Sequence, residues 1–444
     1  HLLAKLVRGL GSDNVDHRLR HADFSAGEGV HWLGTSISSL SRLDRAFVVG
    51  SFLRKDHPLF AQRIRQAARH GARVLSLHAV HDDWAMPVAA RITAAPDAWA
   101  QSLADVAGYV ASARGVNAPA TAMVSAAAEA VAQALLSGER KAILLGNAAA
   151  QHPQASTLLA LANWIGEQTG ASVGYLTEGG NRVGAQFVGA QPTNDGLNAG
   201  QMLTRPMKAL LLLNVEPVLD AADAAKARAS LQGSGLVVAL TPFKDASTEH
   251  ADVLLPIAPF TETAGSYINA EGRLQAFHGV VRGLGDSRPG WKVLRLLGNL
   301  LGLPGFSQES VEEVRADALG DTSLLSQRLD NRTAAAPQPQ APAAGLQRVS
   351  DVPVYCSDSL VRRASSLQMT TDAKAPQVGL PTALWNQLGL QPGARVRVGQ
   401  GASTAVLPAR LEASLAANAV RVPAGHDDTS ALGPMFGPIK VEAA

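Results

Sequence analysis

Residues able to do chemistry are thinly spread in this sequence, and they gather most densely in residues 251–277, ADVLLPIAPFTETAGSYINAEGRLQAF. Glu262 is a carboxylate that could act as a general acid or base. It has no partner carboxylate or histidine at an informative spacing. Its expected role is therefore structural, accepting backbone N–H bonds in the turn at Gly265. Thr261, Thr263 and Gly265 surround it with a polar, turn-prone loop, which follows an apolar strand at 253–255 stopped by Pro256. The carboxyl end of a strand is where open α/β sheets take their ligands. Beyond the loop the pattern predicts a hairpin with arms 266–269 and 274–277. Glu271 and Gly272 sit in its turn, the glycine supplying a positive φ.

Other candidates are weaker. His78, His81, Asp82 and Asp83 fall just past a predicted strand and could bind a metal, but nothing fixes a third and fourth ligand, so a solvated polar loop is the expectation. Cys356 follows Tyr355 in a β-like run without a basic neighbour in sequence, and reads as a small buried apolar side chain. Arg362 and Arg363 read as a solvated helix face or an interface before an anion site. No GxGxxG follows a strand, and GxxxxGK[ST] and GxSxG are absent, so the usual nicotinamide, P-loop and hydrolase signatures are missing.

Composition narrows the classes further. At 444 residues two or three domains are expected. A hydrophobic content of 46% with 17% charged residues permits large cores. A net charge of +2 makes no general electrostatic case for nucleic acid or an anionic membrane. The single cysteine excludes an intrachain disulfide framework and any cluster held by four cysteines of this sequence. No apolar run reaches bilayer length, and no secretory signal is visible. The sequence opens without Met inside a helical pattern, which reads as part of a longer polypeptide.

The elements that would position these residues alternate regularly. Three strand–helix–strand units are predicted, with strands at 45–50 and 73–77, 141–146 and 172–176, and 208–213 and 236–240. Helices are expected at 58–70, 153–169, 220–231, 291–303 and 309–329. Residues 85–137 read as mostly helical, and 179–200 as a long irregular loop. The Pro/Ala/Gln stretch 334–345 reads as a linker. Short β runs beyond it (395–398, 404–411, 419–423 and 439–441) suggest a small barrel. The expected division is 1–135 as the first part of one α/β lobe, 136–235 as a second, inserted lobe, 236–333 as a return to the first, 334–345 as linker, and 346–444 as a β-barrel-like domain.

Several of these stretches resemble a known family. ADVLLP…TETAGSYINAEGRLQ is similar to the closing segment of the α/β domains of the molybdopterin oxidoreductase superfamily, and GSDNVDHRLR resembles its Gly-x-x-Asn-x-Asp element. More narrowly, FVVGSFLRKDHPLFAQRIRQAARHGA, LLLLNVEPVLDAA and YCSDSLVRRASSLQMT resemble the large iron–sulfur subunit, lettered G, of bacterial NADH-quinone oxidoreductase, respiratory complex I. This resemblance runs from Leu2 to about Val441. It implies an α/β fold with two Rossmann-like parallel-sheet lobes of the molybdopterin oxidoreductase type, followed by a small C-terminal domain like a double-psi barrel.

The resemblance also sets expectations for the site. Catalytic relatives place a Cys, selenocysteine or Ser that binds molybdenum shortly after the Asn-x-Asp element; here that position falls on Ala22. Relatives often have Asn where Glu216 precedes Pro217, and Asn where Phe52 follows Ser51. The family's pocket would draw on Ser51, Asn214, Glu216, Thr241, Glu262, Asn269, Glu271, Arg273 and Gln275. With those departures it reads as vestigial, with no catalytic residue, metal ligand or cofactor in these residues. Iron–sulfur clusters are expected in the N-terminal part of the parent subunit.

The implied function is a non-catalytic scaffold in the peripheral arm, supporting electron transfer from NADH to quinone, with activity belonging to the parent complex. The expected partners are the other hydrophilic subunits, without nucleic acid or membrane insertion, at the cytoplasmic face of the bacterial inner membrane. The alternative is a molybdopterin guanine dinucleotide oxidoreductase of the formate dehydrogenase or nitrate reductase type. A nucleotide-binding regulatory module rests on fold analogy alone.

Overall fold

A computed structural model describes residues 1–27 and 29–444, the side chain of Ser247 aside. Its first sheet has five parallel strands, β1 (Arg45–Val49), β2 (Arg73–His78), β3 (Ala90–Thr93), β4 (Lys141–Leu145) and β5 (Ser172–Tyr175), in the order β3-β2-β1-β4-β5. Apart from their first residues, β1, β2 and β4 are buried, as apolar strands covered on both faces must be. The covering helices start and stop where local chemistry directs. Pro58 opens Pro58–Arg69, and Gly115 and Gly170 take left-handed conformations at the ends of Trp99–Arg114 and Ala155–Thr169. Strand order reverses between β1 and β4, which makes that point the sheet's crevice for ligands.

A second parallel sheet is smaller, with β6 (Leu210–Leu213), β7 (Val237–Thr241) and β8 (Val253–Pro256) in sequence order. The hairpin β9 (Gly265–Ile268) and β10 (Leu274–Phe277) is antiparallel, with Ile268 opposite Leu274. The remaining strands are β11 (Gln347–Val349), β12 (Val378–Leu380), β13 (Arg395–Gln400), β14 (Ser403–Leu411), β15 (Ala419–Arg421), β16 (Gly437–Pro438) and β17 (Lys440–Ala443). They form one seven-stranded sheet, β16-β11-β15-β12-β14-β13-β17. Its two end strands are separated in the chain only by Ile439, so the sheet nearly closes on itself around Leu380, Val396, Val398 and Val420. Two parallel-sheet lobes and a terminal barrel-like sheet are the architecture the sequence implied.

The chain divides into two compact units. The first is His1–Arg20 with Gly179–Leu329, and holds β6–β10; the second is His21–Glu178 with Asp330–Ala444, and holds β1–β5 and the barrel. This differs from a division at 135/136. Lys141 pairs with Arg45 and continues the first sheet, so the segment that sequence order assigns to a new lobe completes the old one. Residues 334–345 do not set the barrel apart either. Gln340 donates its N–H to Gln154 and Ala343 donates to Asp97, within the second unit.

Smaller differences have local causes. The helix expected at 309–329 ends at Leu319, because Gly320 follows with φ +57, and a 3-10 turn Thr322–Arg328 replaces its second half. Residues 85–137 include strand β3 and two helices separated by Gly115. Cys356 is buried as expected, but in a 3-10 turn, Val354–Cys356, set by Pro353. The irregular loop 179–200 contains a short helix, Arg182–Phe187.

Candidate functional site

Each unit has a place where a ligand could be sought. In the first unit a cavity of about 1200 Å³ is lined both by Ser12, Asn14, Asp16 and His17 and by Thr263, Gly265 and Tyr267 of the hairpin region. Its other walls are mostly apolar, from β6 and from the helices Leu2–Gly9, Gly290–Leu300 and Val311–Leu319, with Asn181 and Arg315 among them. The polar groups from the amino-terminal motif are already engaged. Asn14 Oδ1 accepts the Leu197 N–H at 2.7 Å, and Asp16 accepts the Ala199 N–H at 3.1 Å together with Nε and Nη2 of Arg18. Asp13 accepts from Thr193 and Asn194. His17 Nδ1 sits 2.9 Å from the Ala190 carbonyl; burial, and then Arg182, push its pKa down to about 4, so the ring is neutral. A motif that in form resembles a cofactor-binding element here ties down the loop 189–200.

The hairpin is held by asparagines. Asn269 Oδ1 accepts the N–H groups of Glu271 and Arg273, at 3.1 and 2.9 Å, closing a turn in which Gly272 has φ +84. Asn181 Oδ1 accepts the Ile268 N–H at 2.9 Å. Arg273 is exposed, 3.4 Å from Glu271, and Gln275 is exposed. Glu262 does not serve the Gly265 turn. Its Oε2 accepts the Leu284 N–H at 3.1 Å, because residues 278–285 fold back across it. Asn214 takes a left-handed φ of +52 and donates its N–H to Leu240. Glu216 is buried, and with Thr241 it lines a separate hollow of about 20 Å³, room for little more than one water. The first unit therefore contains eight of the nine expected pocket residues without converging them on one ligand.

The ninth, Ser51, lies at the β1/β4 crevice of the second unit. A side chain at Gly146 would stand 2.3 Å from the Ser51 Cβ and 2.6 Å from the Gly50 carbonyl oxygen, so the two strand ends are packed against each other. The Ala149 N–H, which could face a phosphate, donates to Gly50 at 3.2 Å. Phe52 is buried beside them, its ring 4.4 Å from His78 and 4.3 Å from the Arg421 guanidinium.

Arg421 comes from β15 of the barrel and carries three carboxylates. It grips Asp351 through Nε and Nη2, at 3.1 and 3.0 Å, while Nη1 donates to Asp82 at 3.1 Å and Glu412 at 2.9 Å. Burial opposes charge on Asp351, but Arg421 holds its pKa below the usual range. Burial, and then Asp351, push the nearby Asp56 up to about 8. Sequence reasoning missed this cluster, because Asp82 and Asp351 lie 339 and 70 residues from Arg421 and no local signal joins them.

The remaining candidates resolve individually. His78 is buried, its Nδ1 accepting the Val80 N–H, with burial lowering its pKa to about 3. His81 bonds Thr93, Asp82 belongs to Arg421, and Asp83 accepts from Arg54. Among the described residues no group of His, Cys, Asp and Glu is arranged to hold a metal ion. Arg362 and Arg363 donate to the carbonyls of Cys356 and Ser359. Ala22 is exposed; its neighbours are committed, His21 to Glu178 at 2.9 Å and Asp23 to Ser156. The methyl group at position 22 offers no atom able to coordinate molybdenum.

Comparisons with known proteins show the family and a fold likeness. The family described as molybdopterin oxidoreductase matches residues 1–300. In Mycobacterium bovis, the NADH-quinone oxidoreductase component lettered G is 28% identical over 311 residues, covering 63% of this chain and 37% of that protein. The component of the same letter in Streptomyces coelicolor is 27% identical over 276 residues, covering 56% and 32%. The chain thus spans about a third of the length of these curated relatives. Among solved structures, acetylene hydratase from Pelobacter acetylenicus superposes with a TM-score of 0.61 at 13% identity, over 99% of this chain and 82% of that one, a likeness of fold.

Proposed function

We propose, for a chain that belongs to the molybdopterin oxidoreductase family, that it acts as a scaffold and not as a redox centre. In this reading it is the C-terminal part of the large iron–sulfur subunit in the peripheral arm of NADH-quinone oxidoreductase. It supports electron transfer from NADH to quinone by iron–sulfur domains of the parent subunit outside residues 1–444. Ala22 carries the reading. At the position where catalytic relatives present a metal-binding sulfur or oxygen, this chain exposes a methyl group, and His21 and Asp23 on either side are bonded elsewhere. The similarity to the NADH-quinone oxidoreductase components of Mycobacterium bovis and Streptomyces coelicolor supports the branch.

Among the described residues no helix is long and apolar enough to cross a membrane. In this reading the chain attaches through other hydrophilic subunits at the cytoplasmic face of the inner membrane. Metal and pterin analysis tests the proposal. Protein made in a host that synthesises the cofactor should contain no stoichiometric molybdenum and yield no fluorescent pterin oxidation product. Stoichiometric molybdenum with pterin would overturn it in favour of a molybdopterin enzyme.

A further inference from the structure

The segment 278–288 carries Val280, Val281 and Leu284 with relative exposures of 84%, 59% and 83%, and the adjacent Phe260 is 56% exposed. Apolar side chains this open in an unrestrained loop would fold back onto the protein. Here the backbone prevents it. The Thr261 carbonyl accepts the N–H groups of Val280 and Val281, at 2.8 and 3.3 Å, and Glu262 Oε2 accepts that of Leu284 at 3.1 Å. The base is closed where Ala258 donates to Arg288 at 2.9 Å, and Arg288 Nη1 donates to Ser287 at 2.9 Å. Gly279 lets the loop pass close to Glu262, since a side chain there would meet the Glu262 carbonyl carbon at 3.1 Å. Glu262, sought as an acid or base, is the strut of an apolar knob.

We infer that this knob docks into another protein subunit, in an apolar hollow with an acidic rim. The inference rests on the scaffold reading and names one of its contact surfaces. The two valines are stiff at χ1 and the loop is braced at both ends, so little freedom is lost on seating in a shaped hollow. Such a rigid apolar anchor is how protein interfaces concentrate their affinity. Among the exposed charges beside it Arg282 and Arg288 outnumber Asp286, while the half-buried Glu262 is turned to the Leu284 N–H, which favours an acidic rim. A membrane-surface anchor would be an amphipathic helix, and residues 278–288 form no helix.

The test uses the full-length subunit in its assembled complex. Replacing both Val280→Asp and Leu284→Asp should cut the amount that co-purifies with the other hydrophilic subunits by about tenfold or more. The melting temperature of the free subunit should stay unchanged, since both side chains are exposed. Glu262→Gln, which keeps an acceptor, should assemble better than Glu262→Ala. Equal co-purification of wild type and double variant overturns the knob and leaves the scaffold reading intact. A wild-type subunit that co-purifies with none of them overturns the scaffold reading itself. Binding to phosphatidylglycerol vesicles, or a dimer of the isolated subunit, that the double variant abolishes would also overturn the inference, assigning the knob to a membrane or to a second copy.

Discussion

The two units solve the same problem, covering a parallel sheet, to different degrees. In the second unit β1, β2 and β4 are buried along nearly their whole length, under helices that bury Trp99, Leu103, Leu158 and Leu161. In the first unit the central strand β7 buries Val237, Ala239 and Leu240, but β6 buries only Leu210 and β8 buries none of its residues. Of the nineteen exposed large apolar side chains among the described residues, twelve belong to the first unit, although it is the smaller. One unit is a finished core; the other keeps apolar surface open. Exposure on that scale is what an unmet interface leaves behind, and the inferred docking surface belongs to the first unit.

The contrast can be broken most forcibly at Arg421. Arg421→Ala would leave Asp351, Asp82 and Glu412 without their common cation, at a cost of about 3–5 kcal/mol. Peptide-resolved hydrogen exchange should show the loss in the barrel and β1–β5 and not in β6–β10. A uniform loss across both units would end the claim that they are energetically distinct.

Acid should separate the units next. Burial lowers His57, His78 and His152, all in the second unit, to about 4, 3 and 4, against His17 alone at about 4 in the first. Each folded-state pKa lies below the unfolded value near 6.5, so the neutral rings contribute stability that is present above that value and lost as pH falls toward about 4. The loss approaches about 1.4 kcal/mol per group for each pH unit inside the window. Asp56 runs the other way. Raised to about 8, it contributes stability that is present below its unfolded value and lost as pH rises through about 8. Urea unfolding followed by exchange should show the second unit weakening faster between neutral and mildly acid pH, and Asp56→Asn should remove the loss on its alkaline side.

The smallest effect belongs to the hairpin. Asn269→Ala removes an acceptor serving two backbone N–H groups and should cost about 1–2 kcal/mol. Arg273→Ala removes one exposed ion pair and should cost less than about 1 kcal/mol. Equal costs would mean that the exposed ion pair holds the turn as firmly as the asparagine.

The strands, and much of the barrel, were legible because apolar runs, Pro and Gly act within a few residues. So was the hairpin, whose Gly272 and Asn269 are local instructions. The membership of β4 in the first sheet was not legible, since its partner β1 lies almost a hundred residues upstream. Glu262 was visible as an isolated carboxylate, but its acceptor role depends on Leu284 returning to it from 22 residues away. Phe52 was noticed for what it cannot bind; that it lies under Arg421 was invisible.

The sequence by itself determined the alternation of elements, the single cysteine, the methyl group at position 22 and the carboxylate before Pro217. These are facts of composition and short-range order, and no folding changes them. Tertiary structure decided what each charge faces. It set Arg421 among three acids, spent the acceptors of Asp13, Asn14 and Asp16 on a loop, and turned Glu262 into a strut. Electrostatic and hydrogen-bond partners are chosen by long-range register, and a side chain's chemistry follows from its partners as much as from its own atoms.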